Sequence, residues 1–569
     1  MSENVEHAFA QDDTGDVPEV MDGSKASRRG VRERLRALDP VCALALVLAL
    51  LFALALAPML AISRYDHSYA DDWHYGVDAH AALEAGEGAV GVISAAVEEA
   101  IDTYDSWQGT YSAIVLMALQ PGVFGEGLYG LGAVGIMVAL VLATGYAAAI
   151  VVRDVCGAGR AEWLCVTLAA LLLQTQLLPS PVEGIWWYNS AIYYTFYHAL
   201  LLVGAGLSVR LLRGRTHRGA LSGAGTAARA SALVLLAFVI GGGNYVTGLV
   251  AVVALAATVV AALARRRRSA WLLVPALIVL AVGFACSMAA PGNAARQASQ
   301  FPGDNLGVVM TLLRSGFAGF EYAVLWMNGF MVLFLALLVP VFVRIARRST
   351  CSFALPAVPA LAVLLLFMAS FTPTFFSMGY VGPGRVQNIR YDYFVLAVFL
   401  CVGWLVGWLV RRAERAGVLP ACAARRHPGI GEVSLAPVGV PAHRLQRERD
   451  TGIAYRRAAA VYLGCGLLVL VAAVGALAID ERHRDDLVSL SAASSLVSGE
   501  AQEYDEQVRA RLAQLETSEE ADVYVAYYTV GPKVLFMGDV HDNMDNYINF
   551  RLAQWYGKDS VIGYHSTLG

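Results

Sequence analysis

The sequence predicts an all-α polytopic membrane protein of about 11 transmembrane helices with a small α/β extracytoplasmic C-terminal domain. Three observations carry the helical-membrane expectation. Of 569 residues, 57% are hydrophobic and only 15% charged, where a soluble domain carries about a quarter charged residues. The apolar residues fall in runs of roughly 17–25, the length that crosses about 30 Å of hydrocarbon as a helix. Thirty of the 42 lysines and arginines lie in alternate segments between those runs, as positive residues do on the cytoplasmic side. A net charge of −4 gives no electrostatic footprint for nucleic acid.

Taken in order, residues 1–40 are polar with no apolar period and are expected to be a disordered cytoplasmic N-terminus. Eleven runs follow: 41–62, 129–152, 163–179, 190–209, 231–245, 247–264, 269–289, 328–343, 353–371, 393–410 and 458–479. The first exceeds the 7–15 residues of a signal core and reads as an uncleaved anchor. The fifth and sixth share GGGNYVTGL (241–249), a hairpin with its tip outside. Residues 41–410 thus form the transmembrane domain, with a long outer loop at 63–128. Residues 411–457 are a basic cytoplasmic linker, rich in Pro, Gly and Arg and expected to be largely disordered. The last helix, 458–479, delivers the tail 480–569 to the outside. No cysteine falls in a predicted outer segment, which excludes a disulfide framework there.

The spans carry almost no ionisable side chains, His198 being the clear case, and the acids gather in the outer loops. Ion-coupled transport would want carboxylates at mid-membrane. The focus is SYADDWHYG (68–76), just past the first span. Adjacent side chains diverge on any regular backbone, so Asp71 and Asp72 are expected to have different jobs, one facing a cleft and one fixing the loop. Helix capping by aspartate beside the interfacial aromatics Trp73 and Tyr75 is the plainer alternative. Helical segments at 76–84 and 89–103 and the apolar stretch 107–120, which begins at Trp107, are expected to lie on the outer leaflet. Glu98, Glu99 and Asp102 read as a solvated face.

Other outer segments offer complementary groups. PSPVEGIWWYNSAIYYTFYH (179–198) holds Glu183, Trp186, Trp187, Tyr188 and Asn189, aromatic faces and hydrogen-bonding groups of the kind that grip sugars. GGNYVTG (242–248) adds Asn244 and Tyr245, and APGNAAR (290–296) adds Asn293 and Arg296. GPGRVQNIRYDY (382–393) adds Arg385 and Arg390. Arginine presents a planar fork of donors suited to phosphate oxygens.

YADDW (69–73) after the first span, with surface helices in the first outer loop, resembles the GT-C class of integral-membrane glycosyltransferases. Together with WWYNSAIYY, PGNAAR and GPGRVQ it also resembles an uncharacterised bacterial multi-spanning family, over about residues 40–400. The resemblance implies a polyprenyl-phosphate-linked sugar donor, an envelope glycan, lipid or protein acceptor, and a carboxylate of the first outer loop as catalytic base. It requires no cofactor. A divalent cation on Asp71 and Asp72 is an option, because hard cations take oxygen ligands. The rival expectations are a transporter or flippase for a lipid-linked glycan and a non-catalytic envelope assembly factor. In the tail, 484–515 reads as helix broken near Gly499, 523–528 and 533–538 as strands, and 542–556 as helix. Asp539, His541, Asp542 and Asp545 read as a helix cap rather than a cation site.

Overall fold

A computed structural model describes residues 39–419, except 305, and 442–565. The expected disordered segments fall mostly outside those residues, at 1–38 and 420–441. Ten helices among the described residues are long and apolar enough to cross a membrane, or eleven with a pair bent by 45° at Ala290. In chain order the helices are α1 (Pro40–Ile62), α2 (Asp71–Glu84), α3 (Gly88–Ser106), α4 (Tyr111–Ala118), α5 (Leu131–Ala149) and α6 (Arg160–Gln176). They continue as α7 (Tyr188–Arg213), α8 (Gly223–Gly241), α9 (Tyr245–Ala264), the bent pair α10 (Val274–Ala289) and α11 (Pro291–Gln300), and α12 (Gly307–Leu325). Last come α13 (Gly329–Arg348), α14 (Ala357–Met378), α15 (Gly384–Arg415), α16 (Ala442–Ile479), α17 (Val488–Ser498), α18 (Glu500–Thr517) and α19 (Tyr547–Trp555).

Polar contacts sort the helix ends into two groups. At one, the basic end, Arg344 bonds both Asp39 and Glu162, and Arg348 reaches Glu162 at 2.6 Å. Asp154 there holds Arg210 and His217, Ser269 donates to the Leu212 carbonyl, and Arg411 donates to the Ser349 carbonyl. At the opposite, aromatic end, Trp186 donates to Ser63, Ser489 of the tail donates to Gln176, and the α8–α9 turn receives amides from Ser112 and Ala113. The turn is tight because Gly242 and Gly243 lie flat against the Tyr111 and Tyr197 rings, where a side chain would collide.

This sorting decides the number of crossings. Helix α6 is only 17 residues long and too polar to stand out by composition, yet from Leu168 to Gln176 every residue is buried among other helices. It connects the two ends and counts as a crossing. Helix α12, which the sequence reading had placed in an outer loop, passes the composition test but not the geometric one. Asp304, before its start, abuts Gly379, and Arg314 bonds the Gly379 carbonyl beyond the aromatic end of α14. Its last turn leads through Trp326 to α13, which then descends to Arg344 and Arg348 at the basic end. Both ends of α12 therefore lie on the aromatic side, and eleven helices run from end to end.

Three further boundaries differ from expectation. Helix α15 begins at Gly384, not 393, which places Arg385, Arg390 and Asp392 on the helix, the last two with no exposed surface. The assignment of ionisable spans to His198 alone is corrected accordingly: GRVQNIRYDY is too polar for a hydropathy reading, but packing inside the bundle keeps it helical. Residues 442–457, expected in the disordered linker, form the first turns of α16. In the tail, Val534 and Leu535 pack against α17 and α18 instead of forming a strand. The strand at Asp522–Ala526 pairs in parallel with Ser560–Tyr564. Gly499, with φ of +84°, separates α17 from α18 as expected.

Labelled cysteines test the α12 assignment. Pro302→Cys, Met327→Cys and Glu519→Cys should react with a membrane-impermeant thiol reagent from the same side. Opposite reactivity at 302 and 327 would make α12 a crossing.

Candidate functional site

The aromatic end is organised by the short link between α1 and α2. Asp72 has no exposed surface. Its carboxylate accepts hydrogen bonds from the Tyr69 amide (2.9 Å), the Tyr129 hydroxyl (2.7 Å) and the Asn189 amide (3.2 Å). Trp187 Nε1 donates to the Tyr69 carbonyl at 3.1 Å, so the Tyr69 backbone is held through both its N–H and its C=O. Ala70 is left at φ +49°, a conformation that a non-glycine residue keeps only where its surroundings over-determine it. Burial pushes Asp72 up to about 8 even though the hydrogen bonds from Tyr129 and Tyr69 pull it down. Burial also raises neighbouring Asp66 well above the carboxylate range.

Asp71 points elsewhere. It is partly exposed, and Oδ1 accepts a 2.7 Å hydrogen bond from Tyr547 of the tail helix α19. The Arg385 guanidinium lies within electrostatic range of it. Arg385 itself bonds Glu183 at 3.2 Å and sits 5.3 Å over the Trp187 ring. From the other side Arg296 bonds Gln108 at 2.7 Å and covers Trp107 at 5.0 Å. Tyr75 feels both Asp71 and Arg296. The structure therefore brings together Asp71, Tyr75, Trp107, Glu183, Trp187, Arg296 and Arg385, contributed by five different helices or turns.

The remaining candidates hold the frame. Trp73 packs among Val525, Leu552 and other tail residues. Trp186 is fully buried, and Tyr188 donates to the Leu116 carbonyl. Asn189 serves Asp72 through its backbone, while its own side-chain amide is buried without a hydrogen-bond partner. Asn244 caps α9 through the Thr247 amide and donates to Tyr193. Tyr245 and Asn293 bond each other and the Gly109 amide, which fixes the bend between α10 and α11. Arg390 lies over the Phe371 ring and donates to Ser370, Thr374, Val381 and Gln387. It is a clamp between α14 and α15, with no surface open to a ligand.

Several groups at this end were not singled out in the sequence. His67 bridges Glu126 (3.1 Å) and Asp505 of α18 (2.9 Å). Burial opposes its charge, but the hydrogen bonds to the two carboxylates outweigh it and raise His67. Glu99, read as part of a solvated face, is instead pushed up to about 7, mainly by burial. Arg551 of α19 stands near Glu99 and Tyr75. No local pattern could have revealed these partners, since His67 is 59 residues from Glu126 and 438 from Asp505. Asp539, one of the tail acids, bonds Arg511 at 2.7 Å, and α19 is capped by Asn546.

An apolar cavity of about 500 Å³ opens beside the site, lined by Val97, Ala100, Ile101, Tyr111, Leu116 and Phe238 among others. Val90, Ile93, Val97 and Ile101 form an exposed apolar stripe along α3. The oxygens of Asp72 are committed to protein donors, so the two aspartates do not offer a shared pair of metal ligands. Among the described residues no group of three or more His, Cys, Asp or Glu side chains is arranged to hold a metal. No protein-family model, curated protein or solved structure matches the chain.

Replacing Asp72 with Ala should destabilise the fold by about 1–3 kcal/mol, since the buried Tyr69, Tyr129 and Asn189 donors are left without their acceptor. With Asp72 raised to about 8 from 3.8, the folded protein keeps a proton that the unfolded chain releases between those values. That contribution to stability is lost as pH climbs from 4 towards 8, and levels off beyond. Unfolding curves in detergent from pH 4 to 9 should be less pH-sensitive for Asp72→Asn than for wild type. Parallel curves would show that Asp72 does not titrate in this way.

Proposed function

We propose that the protein is a membrane glycosyltransferase of the GT-C kind, transferring a sugar from a polyprenyl-phosphate donor to a cell-envelope glycan, lipid or protein acceptor. In this reading the basic end is cytoplasmic, and the aromatic end, with its α/β tail domain, faces outward. The observation that carries the proposal is the division of labour in the acidic pair. Asp72 is consumed in building the site, whereas Asp71 stands partly exposed within electrostatic range of Arg385.

The chemistry is an inverting displacement at the anomeric carbon. Asp71 takes the proton of the acceptor hydroxyl as its oxygen bonds to that carbon, a step worth about 10²–10⁴-fold. The bond from the anomeric carbon to the phosphate oxygen breaks, and the leaving polyprenyl phosphate keeps the electron pair. Fixed arginine donors stabilise the charge that develops on that oxygen. The apolar cavity beside α3 and α4 suits the hydrocarbon chain of such a donor. Glu183 and Trp187 fit hydroxyl and ring-face contacts with the sugar.

A flippase or transporter is the second reading, and one observation favours it. Asp392 is a fully buried carboxylate in the helical bundle, facing the Gln174 amide and, among the described residues, no cation, a type of residue that often marks an ion or proton path.

The test is transfer from a polyprenyl-phosphate sugar in detergent. Asp71→Asn should lower transfer by two or more orders of magnitude while donor binding persists, and Arg385→Ala should weaken donor binding. Full activity of Asp71→Asn would exclude it as base. Lipid translocation abolished by Asp392→Asn, with no transfer by the wild type, would establish the transporter reading instead.

A further inference from the structure

Arg385 shares its charge with Glu183, but two other guanidinium groups around the cleft have no carboxylate within salt-bridge distance among the described residues. Arg296 of α11 bonds only the neutral amide of Gln108. Arg551 of α19 bonds only the neutral amide of Gln554, faces the Tyr547 and Phe550 rings, and has a buried Nε with no hydrogen-bond partner. Both arginines act electrostatically on the buried Tyr75 hydroxyl. They approach it from opposite parts of the chain, one from the bundle and one from the tail. Tyr547 lies one helical turn before Arg551, so a single face of α19 presents a hydroxyl to Asp71 and a guanidinium to Tyr75.

Like charges brought together beside a buried side chain repel. The nearby acids compensate only in part: Asp71 already accepts from Tyr547, Asp78 and Asp102 beside Glu99 are exposed to solvent, and Glu99, raised to about 7 mainly by burial, is not fully charged at neutral pH. The arrangement lacks one anion. We infer that Arg296 and Arg551 form a two-sided seat for a phosphate ester, so that the tail domain supplies half of the phosphate recognition. The inference rests on the lipid-phosphate reading for its choice of ester. It goes beyond that reading in assigning Arg551, and with it the tail, to substrate binding. Two guanidinium forks meeting one phosphate from two sides can both donate to its oxygens. Ala100 in the wall of the apolar cavity packs in the same cluster as Tyr75, which joins the place for a chain to the place for its phosphate.

The experiment measures binding of farnesyl phosphate, farnesol and inorganic phosphate to the purified full-length protein in detergent. Wild type, Arg551→Gln, Arg551→Lys and Arg296→Gln are compared, with Arg314→Gln as a control at the same end. Farnesyl phosphate should bind at least tenfold more weakly to Arg551→Gln and Arg296→Gln, with Arg551→Lys intermediate. Farnesol binding should be unchanged throughout, and Arg314→Gln should match wild type. Inorganic phosphate binding as well as the farnesyl ester, with the same arginine dependence, would assign the seat to free phosphate. Equal farnesyl phosphate affinity in wild type and a folded Arg551→Gln would overturn the proposal, and Arg551→Lys serves the same purpose if the glutamine variant fails to fold. Arginine-dependent binding without any sugar transfer would sink the glycosyltransferase reading and leave the phosphate seat standing. Transfer with no dependence on Arg551 would do the reverse.

Discussion

The aromatic end depends on one buried carboxylate. Asp72 receives donors from its own loop, from the start of the second crossing and from the turn that opens the fourth. Three segments far apart in sequence are thereby held at one point. Removing a single acceptor from such a convergence leaves buried donors unsatisfied, which costs more than the net worth of the bonds themselves. Asp71 inherits its direction from this arrangement. Its neighbour is anchored inward, and consecutive side chains at the start of a helix diverge by about 100°.

The two ends of the bundle are held by different physics. At the basic end, Glu162 is almost wholly buried and is approached by two arginines from the same helix, so charge pairing sets the height of α6 against α1 and α13. At the aromatic end, hydrogen bonds from tyrosine, tryptophan and backbone amides do the corresponding work. The latter bonds are short and directional, whereas the ion pairs tolerate small displacements. The tail adds its own ties through the His67 bridge and through Tyr547, placing His67 and Asp71 under the control of a segment more than 400 positions later.

Much of this plan is legible in the sequence because lipid and loop chemistry act locally. Hydrophobic runs located the middle of all eleven crossings, although α8, α14, α15 and α16 extend seven or more residues beyond them, and α6 was found despite its polar residues because LAALLL interrupts them. The α15 boundary was misplaced for the opposite reason: its first nine residues face protein, so their polarity says nothing about membrane depth. Helix α12 shows a third case, an apolar face without a crossing. In the site, the motif residues Asp71, Arg296 and Arg385 could be nominated by type, but the division between Asp71 and Asp72 required tertiary partners. Arg551 and Tyr547 could not be nominated at all, since nothing near them in sequence resembles a binding element. The expected strand at 533–538 failed because Val534 and Leu535 found helices to pack against.

Helix α6 has a consequence for how the chain is assembled. Its ends carry Arg160, Glu162, Gln174 and Gln176, and its surface is covered by protein rather than by hydrocarbon. Polar residues of this kind make a lone helix a poor candidate for spontaneous partition into lipid. During synthesis α6 emerges after α1 and α5, which provide part of its final surroundings, but before α13 and α15, which complete them. The third crossing must therefore wait, retained beside the insertion machinery or lodged against its two predecessors, until more than two hundred further residues have been made. The segment most deeply enclosed in the finished protein is thus the one whose burial is completed late.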